Sequence, residues 1–345
     1  MAEININASN ITHNNHYVPR FYLKNWSDDG KTIYTYSLLV ANKDVPYWQR
    51  KSIKNVAVWY DLYTRRVNQQ EIDDFEAWFD HEFESPAKPI FDKLLNNGKI
   101  TKAESIIVSR FVAAQHIRTP AKLNEMLAWG KKEIPHVIES TLSKMNRELA
   151  NGRIHRRMQP PTESDELLTI KINYDEEQAL VHVNSVVGKS MYLYFVKHLL
   201  TNTVEYMHNH CWHVVHAAKG ISFPTSDDPV ICLNYRNEND YDFNGGWGLK
   251  HGIILMPISP DKLLFTQIGD KGPYDLLSCS PHWSSLFRKM IIQHAHRAVF
   301  ADKPQKGMLA INPRIVNNAL YYEEQQSIAN WHENHMSAEE ALMKK

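Results

Sequence analysis

Arg118 is the residue whose type and position most need a chemical explanation. On a helix predicted from 101 to 119, at about 100° per residue, Arg118 and Gln115 lie in the apolar sector, whereas Ser109 and His116 mark the polar side. A guanidinium cannot shed its proton, and burying it without a partner is too costly. Two alternatives follow: a structural bridge to a carboxylate on another helix, or an arginine that binds a substrate anion.

The preceding helical pattern, from 70 to 97, supplies carboxylates that could meet Arg118. Glu76, Asp80 and Glu84 recur at a spacing of four residues and share one helix face. Ser85-Pro86 predicts a kink at Glu84, where the side chain can turn inward. The alternative is a solvated acidic face.

A histidine near the start of the chain and a polar turn near residue 227 are the other candidates. His16, among aromatic residues, is either a general acid or base or a hydrogen-bonded core residue. Ser226, Asp227 and Asp228 end a predicted strand, where they could coordinate a metal ion or orient a base. They are equally compatible with a turn before Pro229.

Composition excludes several classes of protein. The 345 residues carry 39 basic and 39 acidic side chains, so no global field steers the chain toward nucleic acid. The sequence contains no Walker A loop, G-x-G-x-x-G, G-x-S-x-G or H-E-x-x-H motif, which disfavours nucleotide cofactors and the common hydrolase sites. No apolar run approaches the roughly 18 residues that span a bilayer, and the three cysteines are unclustered. We therefore expect a soluble cytoplasmic protein without a membrane partner.

The pattern of elements predicts an α+β fold: a mainly helical middle and a smaller, mostly antiparallel sheet built from N-terminal and C-terminal strands. Helices are predicted at 70–97, 101–119, 121–149, 175–208, 283–300 and 314–328. Strands are predicted at 32–39, 252–258 and 262–268, with a β-hairpin that turns at Lys219-Gly220.

The same pattern predicts one large domain. We expect a flexible N-terminus (1–15), a single α+β domain (16–330) and a polar tail (331–345). Within the domain we expect a helical part at about 70–210, a strand-rich part at about 211–270 and C-terminal helices at about 283–330.

Three motifs and their order make the chain similar to a known family. H-Y-V-P-R-F-Y-L-K-N-W begins at His16, Q-H-I-R-T-P at Gln115 and F-P-T-S-D-D-P-V at Phe223, and a glutamate precedes A-K-P-I-F-D-K-L-L. Together they resemble the microbial family named domain of unknown function 4238, from about residue 13 to 325. The resemblance implies that the marked positions of the family are His16, Pro19, Glu84, Gln115, Arg118, Ser226, Asp227 and Pro229.

Two positions depart from the family pattern. Arg20 stands where the family usually has an amide, and Asp228 stands where it has asparagine. The extra carboxylate at Asp228 either strengthens a cation site or marks that position as a turn. The family implies no reaction.

Our first functional hypothesis is a hydrolase that acts on a phosphate-containing substrate, a nucleotide or a nucleic acid. His16 would be the acid or base, Glu84 and Asp227 would orient it or hold a divalent metal ion, and Gln115 and Arg118 would bind the anion. Ser226 and Asp228 would add substrate contacts, and Glu84, Asp227 and Asp228 are the metal candidates. A nuclease in a phage-defence or toxin system is one form of this hypothesis.

Two alternatives come from other classes. In the first, a non-catalytic binding or structural protein uses the same residues as a buried polar network. In the second, a nucleic-acid-binding protein contacts phosphates through Arg153, Arg156 and Arg157.

Overall fold

The computed structural model describes residues 11–67, 70–151, 167–175, 180–270 and 280–344, which form an α+β fold. Helices dominate the middle of the chain, and mostly antiparallel sheets use strands from both ends, as predicted. None of the described helices combines the length and apolar character needed to cross a bilayer.

The helices of the described residues are α1 Arg20–Leu23, α2 Asp74–Phe79, α3 Ser85–Leu95, α4 Lys102–Ile117, α5 Pro120–Ala150, α6 Lys189–His198, α7 Pro281–His294, α8 Met308–Ile311 and α9 Asn318–Lys344. Two π-helical turns, Asp80–Glu84 and Leu199–Thr203, follow α2 and α6 directly. Single 3₁₀ turns lie at Lys24–Trp26, Ile53–Asn55 and Val204–Met207.

The strands of the described residues are β1 Asn14–His16, β2 Thr32–Ser37, β3 Leu39–Val40, β4 Gln49–Ser52, β5 Val58–Tyr60, β6 Arg65–Val67, β7 Gln70–Ile72, β8 Ile170–Asp175, β9 Leu180–Ser185, β10 His213–His216, β11 Thr225–Ser226, β12 Ile231–Asn237, β13 Asp240–Asp242, β14 Ile253–Ser259, β15 Lys262–Gln267, β16 Ala298–Ala301 and β17 Ile315–Val316. The two larger sheets have the orders β10-β15-β14-β12-β13 and β11-β16-β2-β4.

Helix α4 has the ends that its sequence predicts. The Thr101 hydroxyl accepts from the Glu104 N–H at 3.2 Å, and the Glu104 carboxylate accepts from the Thr101 N–H at 2.7 Å, which forms a capping box. The helix stops at Ile117 because the residue before Pro120 avoids the α region. Arg118 is thereby placed at the C-terminal cap.

The four-stranded sheet joins the two ends of the chain and has two different faces. Strand β2 pairs with β16 so that Ser37 lies opposite Ala298 and Thr35 opposite Phe300. Successive side chains of a strand point to opposite faces. Tyr36 therefore points the other way, into an apolar cluster with residues of α7 and α8.

The helix predicted at 175–208 is wrong in its first part. Leu180–Ser185 forms β9, which pairs antiparallel with β8, and α6 begins only at Lys189. Val181 and Val183 alternate with polar residues, and β-branched side chains fit a pleated surface better than a helix. The start of the 70–97 helix is likewise wrong, because Gln70–Ile72 pairs with β6.

The predicted hairpin at Lys219-Gly220 is also wrong, although the turn exists. Gly220 adopts a φ of +88°, but β10 pairs with β15 and β11 pairs with β16. Val215 lies opposite Leu263, and both are buried in an apolar cluster under α7. An isolated two-stranded hairpin offers no such burial, so tertiary pairing wins.

The C-terminal elements have different bounds from those predicted. Ala298–Ala301 is strand β16 and not the end of a helix, and the last helix starts at Asn318, four residues after the predicted start. That helix continues through the segment assigned as a polar tail, where Trp331 and Met336 are buried.

The packing of Trp331 generates a test of this last helix. Its side chain is 6 % exposed and meets the Trp59 ring edge-on at 5.9 Å. We expect Trp331→Ala to lower the free energy of unfolding by about 3–5 kcal/mol because it leaves a cavity. Tyr322→Ala on the same helix, where the side chain is 61 % exposed, is the control. Urea denaturation that gives both variants the same stability would contradict this packing.

Candidate functional site

Arg118 is 1 % exposed, and its guanidinium is held by groups of the chain itself. Nη1 donates to Glu84 Oε1 at 2.7 Å, and Nη2 and Nε donate to Gln115 Oε1 at 3.0 and 3.3 Å. The guanidinium also lies over the Phe79 ring, 5.3 Å from its centre. Burial opposes the charge, but the carboxylate of Glu84 raises the pKa of Arg118, so the cation is retained. This is the geometry of the bridge alternative.

Glu84 reaches Arg118 because the helix is widened at its position. The π-helical turn Asp80–Glu84 ends where α3 starts with Ser85-Pro86, and Pro86 has no N–H to continue the hydrogen-bond ladder of a regular helix. The structure thus has a π-helical turn that ends at Glu84, where the sequence predicts a kink, and the Glu84 side chain is 17 % exposed.

The same network attaches the N-terminal segment to the helices. Gln115 Nε2 donates to the backbone carbonyl of Tyr17 at 2.9 Å, and the Tyr63 hydroxyl donates to the carbonyl of Arg118 at 2.8 Å. Glu76 lies close by; burial raises its pKa to about 7, although the charge of Arg118 opposes this. We call Glu76, Glu84, Gln115 and Arg118 the arginine network.

His16 lies beside the arginine network without a hydrogen bond to it among the described residues. It is the last residue of β1, opposite Val58, and its Nε2 is buried without a partner in that part of the chain. Burial lowers the pKa of His16; Glu84 and Arg118 act on it with opposite signs. The imidazole is therefore neutral at pH 7.

The Asp227 carboxylate binds backbone N–H groups and makes no hydrogen bond or ion pair with Arg118 among the described residues. Its carboxylate oxygens accept from the N–H groups of His296 and Arg297 at 3.0 and 2.8 Å. Burial raises the pKa of Asp227 to about 7, although these hydrogen bonds oppose the rise. The Ser226 hydroxyl accepts from the Asp228 N–H at 3.2 Å, which is the geometry of the turn alternative.

Asp228 connects this turn to the segment that carries Arg118. Its Oδ1 accepts from the Thr119 hydroxyl at 3.1 Å, and its backbone carbonyl accepts from His294 Nδ1 at 3.0 Å. Burial raises the pKa of Asp228 to about 7, opposed by the charge of Lys122. The Q-H-I-R-T-P and S-D-D-P motifs thus touch through Thr119.

The candidate metal ligands are not gathered into one site. Glu84 faces Arg118, Asp227 holds backbone N–H groups, and Asp228 faces Thr119. Over the described ranges, no three His, Cys, Asp or Glu side chains come together in a way that could hold a metal ion.

All three motifs do line one cavity, of about 450 Å³, which we call the motif cavity. Tyr17, Pro120 and Asp227 each contribute one motif to its wall. Its floor is the face of the four-stranded sheet that carries Thr35 and Ser37. Its roof is a stripe of α9 at helical spacing, consisting of Tyr321, Glu324, Gln325 and Ile328.

The lining of the motif cavity includes a cationic side chain without a carboxylate partner. Lys51 lies on β4, and its ammonium group makes no hydrogen bond or ion pair within the described residues. Burial and the nearby charge of Arg314 lower its pKa. Arg314 itself is not part of the cavity lining, and its guanidinium donates to the backbone carbonyls of Ser37, Val45, Pro46 and Tyr47. By contrast, Arg297 is paired with Glu324 at 2.8 Å.

Of the candidate site residues named from the sequence, Asp227 lines this cavity, whereas Tyr17 and Lys51 were not among the candidates. Tyr17 stands inside the first motif, which is a usable signal. Lys51 lies in Q-R-K-S, whose polar pattern does not indicate burial, and only the pairing of β4 with β2 turns it inward.

Breaking the Arg118–Glu84 pair tests how the arginine network contributes to stability. We expect Arg118→Met to cost about 3–5 kcal/mol, because Glu84 loses its buried partner. Arg110→Met is a matched control: Arg110 pairs with Glu82 of the same π-helical turn at 3.0 Å and lies over Phe83, but its side chain is 35 % exposed. That pair is expected to contribute about 0–1 kcal/mol. Thermal and urea unfolding measure the loss of stability in both variants. Equal losses would contradict the expectation that the buried pair contributes more than the exposed one.

The raised pKa of Asp228 predicts how stability depends on pH. Its usual value is 3.8 and its folded value about 7, so between these values the folded state binds more protons than the unfolded state. Stability therefore falls as pH rises from about 4 to about 7, by at most about 1.4 kcal/mol per unit for this group. Asp228→Asn, the usual residue of the family, keeps an acceptor for Thr119 and is expected to reduce this slope and to raise stability at pH 8.

Asp227→Asn provides the contrast. An amide NH₂ would face one of the two backbone N–H groups that Asp227 accepts, so this variant is expected to lose stability at every pH. Urea denaturation between pH 4 and pH 8 measures both. An unchanged slope in Asp228→Asn would show that Asp228 is ionised in the folded state.

Comparison with known proteins gives a family match. A family model described as "Protein of unknown function (DUF4238)" matches residues 14–305. No curated protein and no solved structure matches the chain. The matched range includes His16, the arginine network and the S-D-D-P turn, and it covers most of the chain. The chain therefore belongs to the DUF4238 family, as its motifs predict.

Proposed function

We propose that the chain binds a small phosphate-containing anion in the motif cavity, and that the arginine network is the scaffold of this site. The observation that carries the proposal is the Lys51 side chain, which lines a cavity that all three motifs line and which has no carboxylate partner in the described residues. A volume of about 450 Å³ lies within the range of small-molecule sites, roughly 300–1,000 Å³.

The polar lining suits a phosphate. Lys51 offers a charged donor, and Asn55, Asn124 and Gln325 offer amide groups around it. Asp227, with a pKa raised to about 7 by burial, is partly protonated at neutral pH and repels an anion less than an ordinary carboxylate does. The carboxylate of Glu324 is already paired with Arg297.

This proposal changes the role of Arg118 and Gln115 from the one the sequence suggests. Their polar groups are directed to each other, to Glu84 and to the backbone of Tyr17. They act on the cavity by fixing the segment of Tyr17, so they are positioning residues. Lys51 takes the place of the anion-binding cation.

Hydrolysis of the bound phosphoester is the second candidate, favoured by Asp227. A carboxyl group in a cavity with a pKa near neutrality is suited to protonate a leaving-group oxygen. In this version Asp227 replaces His16 as the acid, since His16 is not part of the cavity lining. The basic run at Arg153, Arg156 and Arg157 lies outside the described residues, so the nucleic-acid alternative gains no support.

Inorganic pyrophosphate and AMP are suitable probes of anion binding. A ligand that binds only the folded state raises stability by about 2.7 kcal/mol at 100 times its Kd. We expect both probes to raise the melting temperature of the full chain, and Lys51→Met to weaken binding roughly tenfold or more, as loss of one charge-assisted contact does.

Lys54→Met is the matched control, because Lys54 lies three residues away and is exposed. It should bind both probes like the parent. If both lysine variants bind the probes equally weakly, the effect comes from net charge and not from a site at Lys51, which contradicts the proposal. If neither probe stabilises the chain at millimolar concentration, the proposal is likewise wrong. Hydrolysis would be supported if the parent chain releases phosphate from AMP, whereas Asp227→Asn still binds AMP but releases no phosphate.

A further inference from the structure

A second cavity, of about 430 Å³, lies on the other side of helix α5. The start of α5 separates the two: Pro120 and Asn124 line the motif cavity, whereas Met126 lines the second one, and no lining residue is shared. Its other walls are the end of α4, the π-helical turn Leu199–Thr203 and the loop Gly245-Gly246-Trp247-Gly248. We call it the tryptophan pocket.

The tautomer of His116 at the base of this pocket is fixed by its neighbour. Trp247 Nε1 lies 2.9 Å from His116 Nδ1, and an indole nitrogen can only donate. Nδ1 must therefore accept, and the remaining ring proton is on Nε2. The Trp247 carbonyl in turn accepts from His210 Nε2 at 2.9 Å, so both ends of the tryptophan are held.

His116 Nε2–H is a donor without an acceptor in the described part of the chain. His116 is 8 % exposed and is one of the residues that line the pocket. Nε2 is not sealed off as His16 Nε2 is. Burial, together with the charge of Lys122, lowers the pKa of His116 well below its usual range, so the imidazole is a neutral donor.

Most of the remaining lining is aliphatic side chain or backbone, and Thr203 and Tyr206 add hydroxyl groups. Ile117, Met126 and Leu199 supply aliphatic surface, and the glycines of the loop present backbone without side chains. At Gly246 an added Cβ would meet no atom within 4 Å, so there is open space beside the loop. The lysine at the rim, Lys122, is already paired with Glu125 at 2.6 Å.

These features select a different ligand from that of the motif cavity. A flat, uncharged ring can lie against the glycine loop and Trp247, and one acceptor atom on its edge would satisfy His116 Nε2–H. We infer that the tryptophan pocket binds an uncharged heteroaromatic ring whose ring nitrogen or carbonyl accepts a hydrogen bond from His116. This site is independent of the proposed phosphate site.

Quinoline and naphthalene form a matched pair of probes, since they share a shape and only quinoline has a ring acceptor. With the full chain at pH 7.5, where quinoline is neutral, we expect ligand-observed NMR to give binding of quinoline roughly tenfold tighter than that of naphthalene. His116→Phe keeps the ring and removes the donor, so it should abolish this difference. Equal affinity of the two probes for the parent chain would overturn the inference.

Gly246→Leu is a second test that leaves His116 and Trp247 paired. Its side chain enters the open space beside the loop and should weaken quinoline binding tenfold or more. Asn244→Leu, on an exposed residue of the same loop, should not. Unchanged quinoline binding by folded Gly246→Leu would overturn the inference. Stabilisation of the same variants by pyrophosphate measures ligand binding in the motif cavity. It therefore shows whether a negative result concerns this inference or the proposed phosphate site.

Discussion

The buried charge of Arg118 is the constraint on which the rest of this site depends. A guanidinium stays protonated at any pH the protein meets, so the fold has to provide partners for it wherever it is enclosed. Here the partners come from two places: Glu84 from a widened turn and Gln115 from the same helix. These partners are thereby used by the arginine, and removing either member of the Arg118–Glu84 pair would leave the other without its partner.

Because their polar side chains already have partners within the chain, the three motifs lie together without forming a single catalytic cluster. Gln115 uses its amide group to hold the backbone of Tyr17, and Thr119, one residue after Arg118, holds Asp228. The motif side chains thus fix the positions of chain segments. The surface that results is the wall of the motif cavity, to which each motif contributes a neighbouring residue: Tyr17, Pro120 and Asp227.

The sequence predicts those parts of the site that depend on residues close together along the chain. The apolar sector around Arg118 required a partner, and Ser85-Pro86 placed a kink at Glu84; both follow from a few adjacent residues. The helical pattern does not predict that the polar side of α4 is buried, yet Ser109 and His116 are buried too. Their polar atoms meet Met207 and Trp247, about 100 and 131 residues away, and no helical periodicity encodes such contacts. Lys51 was missed for the same reason: strand pairing with β2 turns it inward, and its own neighbours in the sequence are polar.

The ligands that we propose for the two cavities differ because the fold leaves different side-chain donors without a partner. In the motif cavity Arg297 is paired with Glu324, whereas the Lys51 ammonium has no partner in the described residues, so the available donor is positively charged. In the tryptophan pocket Lys122 is paired with Glu125, and the donors that remain are uncharged: His116 Nε2–H and the hydroxyls of Thr203 and Tyr206. A charged donor compensates the desolvation of an anion, whereas a neutral one compensates only that of a polar edge. The ligand class that we propose for each cavity therefore rests on the charge of its unpaired donor and not on the number of polar residues around it.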